Sequence, residues 1–360
     1  MAVIDIALSA LDDLIGTSTS PYSNTLTVKS LIDVLRNQRQ GPNGDKASLP
    51  LSYDARWHAK LLELSRPQDS SALGASSNWA FCTLLCATVR TTPHHLVAKH
   101  LPHWLDLLVQ HLRAADFRTR LAAMLCGAAI TVRACAVGSD TRRDISSGGQ
   151  KLVQPYLNVL AACATVSDKL AAVTAFTEIA TASPSLVKAM GPKIISSLFP
   201  MFDAAAPAEV RVSRAAGRCL GRVAAAVYGA ANVTGVSQFI VSCIGSLHRA
   251  FGKIFEGCEG ESGSAPVWRQ VVESCEFGDL KDCDAVVMQS RAIALCETIV
   301  SAVNSTFALP QQHLQQIQQQ KLAAGFVFPT EALIDLIRRF TSVNMDTIVV
   351  NNINHNKFYI

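Results

Sequence analysis

Apolar positions along this chain recur in steps of three and four, the repeat of a single helix face. Leu26, Leu31, Ile32 and Leu35 share such a face and predict a helix over 25–38, with Asn24 as its N-cap. Residues 1–16 read as a short amphipathic helix, and Asp54 is placed to cap a helix that runs through Leu64. Between them, 39–51 holds glycines, prolines and mixed charge, and 66–77 is rich in serine, so both read as links.

From Asn78 onward the helices come in pairs: 78–90 with 101–114, 117–137 with 151–163, 168–182 with 193–204, and 208–230 with 236–256. In each pair a stretch rich in small residues precedes one with bulkier apolar side chains. The first members start near Ser76, Ala115, Val166 and Pro207, the second near Leu101, Leu152, Lys193 and Val236. A two-helix unit recurring about every 40–50 residues predicts an all-α fold, a HEAT/armadillo-like α-solenoid of stacked helix pairs. Each pair in such a fold buries its apolar face against the next. The expected organisation is an N-terminal helical segment with loops (1–75), the repeat array (76–256) and a connector (257–284). A further, incomplete helical repeat (285–343) and an unassigned asparagine-rich tail (344–360) follow, with more repeats expected beyond them. A solenoid offers surface more than chemistry, which moves the question from reactions to partners.

Composition sharpens this. The 360 residues are 49% apolar and 6% aromatic, which suits a row of small stacked pairs better than one globule. Mean hydropathy is +0.24, raised by alanine. The longest apolar run, 121–132, has 12 residues and closes at Arg133, short of the roughly 18 that span a bilayer, so no transmembrane segment is expected. Asp5, Asp12 and Asp13, with no basic residue beside them, do not fit a secretory signal. The 11 cysteines are scattered singly, mostly inside helices (Cys126, Cys163, Cys219, Cys243, Cys296). That pattern predicts buried free thiols in a reducing compartment. A net charge of +4 with 17% charged residues is too mild to name nucleic acid as a partner.

Three blocks carry a resemblance. The first is Arg143-Asp144-Ile145-Ser146 with the helix pair that follows it to Phe202. The second is Ser246-Leu247-His248-Arg249-Ala250-Phe251-Gly252-Lys253-Ile254-Phe255-Glu256-Gly257. The third is Val327-Phe328-Pro329 leading into Leu333-Ile334-Asp335-Leu336-Ile337-Arg338-Arg339. In order and spacing, over roughly 78–343, these blocks resemble the N-terminal region of the Rix/PELP family of pre-ribosome scaffolds.

The resemblance implies a non-enzymatic scaffold in the nucleolus and nucleoplasm, acting in large ribosomal subunit maturation and rRNA spacer processing. The implied partners are a WD-repeat propeller protein, a second helical-repeat protein, a midasin-type AAA ATPase and the pre-ribosomal large subunit, with self-association as a homodimer. The chain departs from the family pattern in lacking its long acidic, proline-rich tail and a basic import run. Arg142-Arg143 and Arg338-Arg339 are pairs and no more. Nuclear placement therefore rests on the resemblance alone. The alternative is another HEAT-repeat adaptor, such as a nuclear transport receptor.

Candidate chemistry is sparse. Arg211, Arg214, Arg218 and Arg222 fall within about an 80° arc on one side of a helix, opposite Ala216, Gly217 and Ala224. This basic stripe could meet phosphate or an acidic segment through its guanidinium forks, or stand as a solvated ridge. His94, His95, His100 and His103 crowd what reads as a link before Trp104. A zinc site needs about four converging ligands, so a structural or exposed role is favoured. Cys82 and Cys86 lie one turn apart among Phe81, Leu84, Leu85 and Val89 and read as core. Cys258, Cys275 and Cys283 lack the paired spacings of a zinc ribbon, and an enzyme hidden near Cys275 and Cys283 is the weaker rival. The run from Gly41 to Lys46 is too short for a phosphate loop. The leucine-rich turns 11–15 and 333–337 resemble groove-docking motifs but read as core. No cofactor, metal or catalytic residue is assigned.

Overall fold

The computed structural model describes residues 3–16, 21–37, 51–65, 72–138, 145, 149–188, 191–204, 206–228, 236, 239–240, 242–244, 246 and 285–307. Among the described residues every regular element is a helix and no strand occurs. The chain divides into two compact units, Met1–Ser197 and Leu198–Ile360, a division that the repeat spacing does not mark.

The first unit holds α1 (Val3–Gly16), α2 (Pro21–Asn37), α3 (Ala55–Leu64), α4 (Ala72–Thr91) and α5 (His94–His111). It continues with α6 (Phe117–Val137), α7 (Gln150–Ala161), α8 (Val166–Ala182), α9 (Pro184–Lys188) and α10 (Gly191–Leu198). Several starts are set by local chemistry. The Asp54 side chain accepts from the Arg56 amide at 2.8 Å, and that of Asp116 from the Thr119 amide at 2.9 Å. Thr165 and Asp168 form a reciprocal capping box at the head of α8. Each such cap satisfies a backbone N–H that the first helical turn leaves open, a contribution of about 1 kcal/mol.

Other boundaries differ from the expectation. α2 starts at Pro21, so Asn24 is no cap: it is buried within the helix and donates through Nδ2 to Ser76 Oγ of α4 at 3.2 Å. The buried face of α2 is Val28, Leu31 and Leu35, while Leu26, expected among them, is 51% exposed. α4 begins at Ala72, inside the serine-rich stretch read as a link. α5 begins at His94 behind Pro93, so the histidines lie on a helix and Pro102 sits inside it. The helix expected over 193–204 is α10 followed by a 3-10 turn, Phe199–Phe202. Pro200 lacks the N–H that would continue the α ladder there. The short α9 went unread in the sequence.

The helices of the first unit pack in two ranks. α4 lies against α2 and α6, and α6 lies against α4 and α8. In the other rank α1 meets α2 and α3, α3 meets α4, α5 meets α4 and α6, and α7 meets α5, α6 and α8. Trp57 of α3 is fully buried and donates through Nε1 to Thr88 Oγ1 of α4 at 3.0 Å, tying the ranks together.

α6 occupies the middle, and its small residues explain how. Ala123, Cys126, Ala128 and Ala134 are completely buried, and neighbours come close over them. A Cβ added to Gly127 would lie 1.8 Å from the hydroxyl of Tyr156 on α7, whose ring meets Phe176 of α8 edge-on with centroids 6.2 Å apart. By length and composition α6 is apolar enough to cross a membrane, which the count of a single apolar run did not register. Of its most apolar window, 67% is buried against the rest of the protein, as for the central helix of a packed array.

The second unit is described through the 3-10 turns Phe199–Phe202 and Pro207–Glu209 and two long helices, α11 (Val210–Tyr228) and α12 (Ala285–Phe307). α11 and α12 pack along one another, and the turn at Phe199–Phe202 touches both. Of the helix expected over 236–256, Val236, Phe239, Ile240, Cys243 and Ile244 are described as helical and buried, one stripe at helical spacing. The connector 257–284 and the expected elements beyond 307 lie outside the described residues, as do 143–144, 247–257 and 327–339 of the blocks that carry the resemblance.

Among the described cysteines, Cys82, Cys126, Cys135, Cys163, Cys219 and Cys243 are buried free thiols. Desolvation pushes those of Cys82 and Cys126 well above the usual thiol range and that of Cys163 up to about 11. Cys296, expected with the buried set, is exposed on α12.

The packing of α6 has a direct test. Gly127→Leu is expected to cost about 1–3 kcal/mol, because the new side chain must displace the fully buried Tyr156 ring. Gly138→Ala, whose new Cβ meets nothing within 4 Å, is expected to stay within about 0.5 kcal/mol of the parent. Urea unfolding of the two variants measures both; equal midpoints would contradict this picture of the core.

Candidate functional site

The arginine stripe lies on α11, and the packing of that helix explains its shape. Val212, Ser213, Ala216, Gly217, Leu220 and Gly221 form the buried side. The approach of α12 is close: a Cβ on Gly217 would lie 2.1 Å from the carbonyl oxygen of Ala294, and one on Gly221 would lie 2.3 Å from that of Thr298. No larger side chain fits at either position without moving backbone. Ser213, Gly217 and Gly221 stand four residues apart and face Ser290, Ala294 and Thr298, which are also four apart, so two narrow strips meet.

Polar groups on these strips are satisfied across the contact. Ser290 Oγ donates to Ser213 Oγ at 2.7 Å, Ser213 Oγ to the Met201 carbonyl at 3.0 Å, and Ser301 Oγ to the Arg218 carbonyl at 2.7 Å. Burying hydroxyls here carries little penalty because each finds a partner.

With the small face turned to α12, the arginines are left on the outside. Arg211, Arg214 and Arg218 are exposed and Arg222 is half-buried. Two of them converge on one carboxylate of α12. Arg214 Nε lies 3.2 Å from Glu297 Oε1, while Arg218 reaches Oε2 through Nε at 2.8 Å and Oε1 through Nη2 at 3.1 Å. The Arg218 fork is thus bidentate, the geometry in which guanidinium and carboxylate bind best. The hydrogen bonds from Arg218 are the main reason the Glu297 carboxyl is held below its usual pKa, and the same contact raises Arg218. Further along α12, Arg291 makes a second forked pair with Asp203, at 2.8 and 2.6 Å. No sequence signal marked Glu297, which stands 79 residues from Arg218.

The other candidates are placed as follows. His100 of α5 stacks on His58 of α3 with centroids 5.2 Å apart and on Trp104 at 5.5 Å, and His58 Nε2 lies 2.9 Å from the Ser52 carbonyl. This ring stack joins α3 to α5; His103 is exposed nearby. Cys86 Sγ donates to the Leu125 carbonyl at 3.7 Å, and Cys82 is wholly buried, so both belong to the contact between α4 and α6. Leu11 and Leu14 are buried core residues of α1. Among the described residues no group of three or more His, Cys, Asp or Glu is placed to hold a metal ion. An apolar groove of about 400 Å³ between α1 and α2, with Ile6, Ala10, Leu26 and Val34 on its walls, has no titratable side chain in its lining. The stretch 41–46 and Cys258, Cys275 and Cys283 lie outside the described residues.

No protein-family model, no curated protein and no solved structure matches the chain.

The Glu297 pairs carry a pH signature. A carboxyl whose folded pKa is depressed stabilises the fold above its unfolded value, near 4.5, and loses that contribution as pH falls through the lowered folded value. Because the arginine partners are more than half exposed, Glu297→Gln is expected to cost about 0.5–1 kcal/mol at neutral pH. As pH falls through the lowered folded value, the urea midpoints of the variant and the parent are expected to converge. A gap that persists in acid would contradict the assignment.

Proposed function

We propose that the chain is a non-enzymatic scaffold, a HEAT/armadillo-like α-solenoid of Rix/PELP type. Its role is to hold a WD-repeat propeller protein and a second helical-repeat protein on the maturing large ribosomal subunit in the nucleus. Pairing with a second copy of itself, engagement of a midasin-type AAA ATPase and spacer processing of the rRNA belong to the same reading.

The observation that supports it is the side-by-side order of α2, α4, α6 and α8, backed by a second rank containing α1, α3, α5 and α7. Helix pairs added one after another in this way bury apolar faces between neighbours and leave two long outer surfaces for partners. The resemblance of the three sequence blocks in order and spacing supports the family reading, and the exposed arginines of α11 offer one charged surface to such an assembly.

Affinity purification of the tagged full chain from cells at moderate salt tests the proposal. A propeller protein, a helical-repeat protein and large-subunit precursor RNA are expected to co-purify. Recovery of transport cargo released by a GTP-bound small GTPase would favour the nuclear transport receptor instead and overturn the scaffold reading.

A further inference from the structure

The two guanidinium groups gathered on Glu297 leave positive charge unbalanced on α11, a helix that carries no acidic residue of its own. Arg211 extends this charge, exposed, toward the N-terminal end of the helix. Arg214 and Arg218 already hold a carboxylate from another helix, Arg214 through Nε alone and Arg218 through a bidentate fork.

The spacing also has a match. Arginines four residues apart on a helix advance about 6 Å along its axis. Alternate side chains of an extended peptide advance about 6.6 Å and point to the same side. An extended acidic segment laid along α11 can therefore present successive carboxylates to Arg214 and Arg218, while Arg211, three residues before Arg214, stands about 4.5 Å further back along the axis.

We propose that the α11 ridge is a binding site for an acidic peptide segment of a partner, and that Glu297 occupies part of it as an internal stand-in for one of that segment's carboxylates. The site rests on the scaffold reading and names the partner chemistry for one of its surfaces. An arriving carboxylate takes the forks of Arg214 and Arg218 and releases Glu297 toward water. The internal pair sets a threshold: isolated carboxylates compete poorly with a tethered one, whereas a run of several gains from Arg211 and the neighbouring arginines together. Binding is electrostatic at a largely exposed ridge and therefore weakens with salt.

Fluorescence anisotropy with labelled deca-glutamate tests this on the full chain, with single-stranded RNA of matched charge as the comparison. Glu297→Gln is expected to tighten deca-glutamate binding about fivefold or more, since it frees two forks without adding charge of the same sign as the ligand. Arg211→Glu, which leaves the Glu297 pairs in place, is expected to weaken it by a similar factor. Circular dichroism and melting of both variants confirm that the helices are retained.

Three results would overturn the proposal: no binding of deca-glutamate by the parent or by Glu297→Gln, unchanged affinity in both variants, or RNA binding more tightly than the peptide, which would assign the ridge to phosphate. Peptide binding that behaves as expected in a protein that recovers no ribosomal partner from cells would remove the scaffold reading and leave the acidic-peptide site standing.

Discussion

The first unit depends on one helix being thin. α6 touches α4, α5, α7 and α8, and neighbours can gather around it because alanine, cysteine and glycine occupy its contact positions. Helices with larger contact residues are held further apart, at interaxial distances set by the side chains between them. With leucine in place of Gly127, the Tyr156 ring would be displaced and the contact between α6 and α7 would open. Met124 and Ile130 are the larger apolar side chains buried on α6, but alanine and cysteine hold most of its buried positions, so the alanine-rich composition acts as a packing device. It also explains how α6 can be apolar enough for a membrane and yet be spent on neighbouring helices.

The second unit uses the same device more tightly. Gly217 and Gly221 bring the backbone of α11 against that of α12, and serine hydroxyls close the remaining polar valences. Small residues at every fourth position leave the other side of α11 free for a different pattern at the same period, and arginines take it. Packing and charge are thus two readings of one repeat. The ridge stands outside because the strip of small residues is turned inside.

What could be read in the sequence was what is decided locally. Asp54 and the helical stretch over 117–137 placed the N-terminal end of α3 and the bounds of α6 within a residue or two, because caps and periodicity are properties of a few adjacent residues. Boundaries decided by distant partners were misread. Asn24 has the chemistry of a cap, yet its side chain is engaged by Ser76, 52 residues away, and the helix starts earlier. The serines before Asn78 look like a link, yet Ser77 is buried inside α4. The histidines around Pro102 resemble a turn, yet His100 is one layer of a ring stack built with α3. The candidate site divides in the same way. The arginine arc is a property of one helix and was visible, whereas the carboxylate that organises it comes from a helix beyond a long connector.

If helices in the first unit are stabilised by their immediate neighbours, they should not all open together. Native-state hydrogen exchange at residue resolution measures this most directly. The expected result is a gradient, with the highest opening free energies in α6 and lower values toward α1 and α2 at the end of the ranks. A single opening free energy shared by α1 through α8 would mean one indivisible core, and would contradict the stacked-pair account.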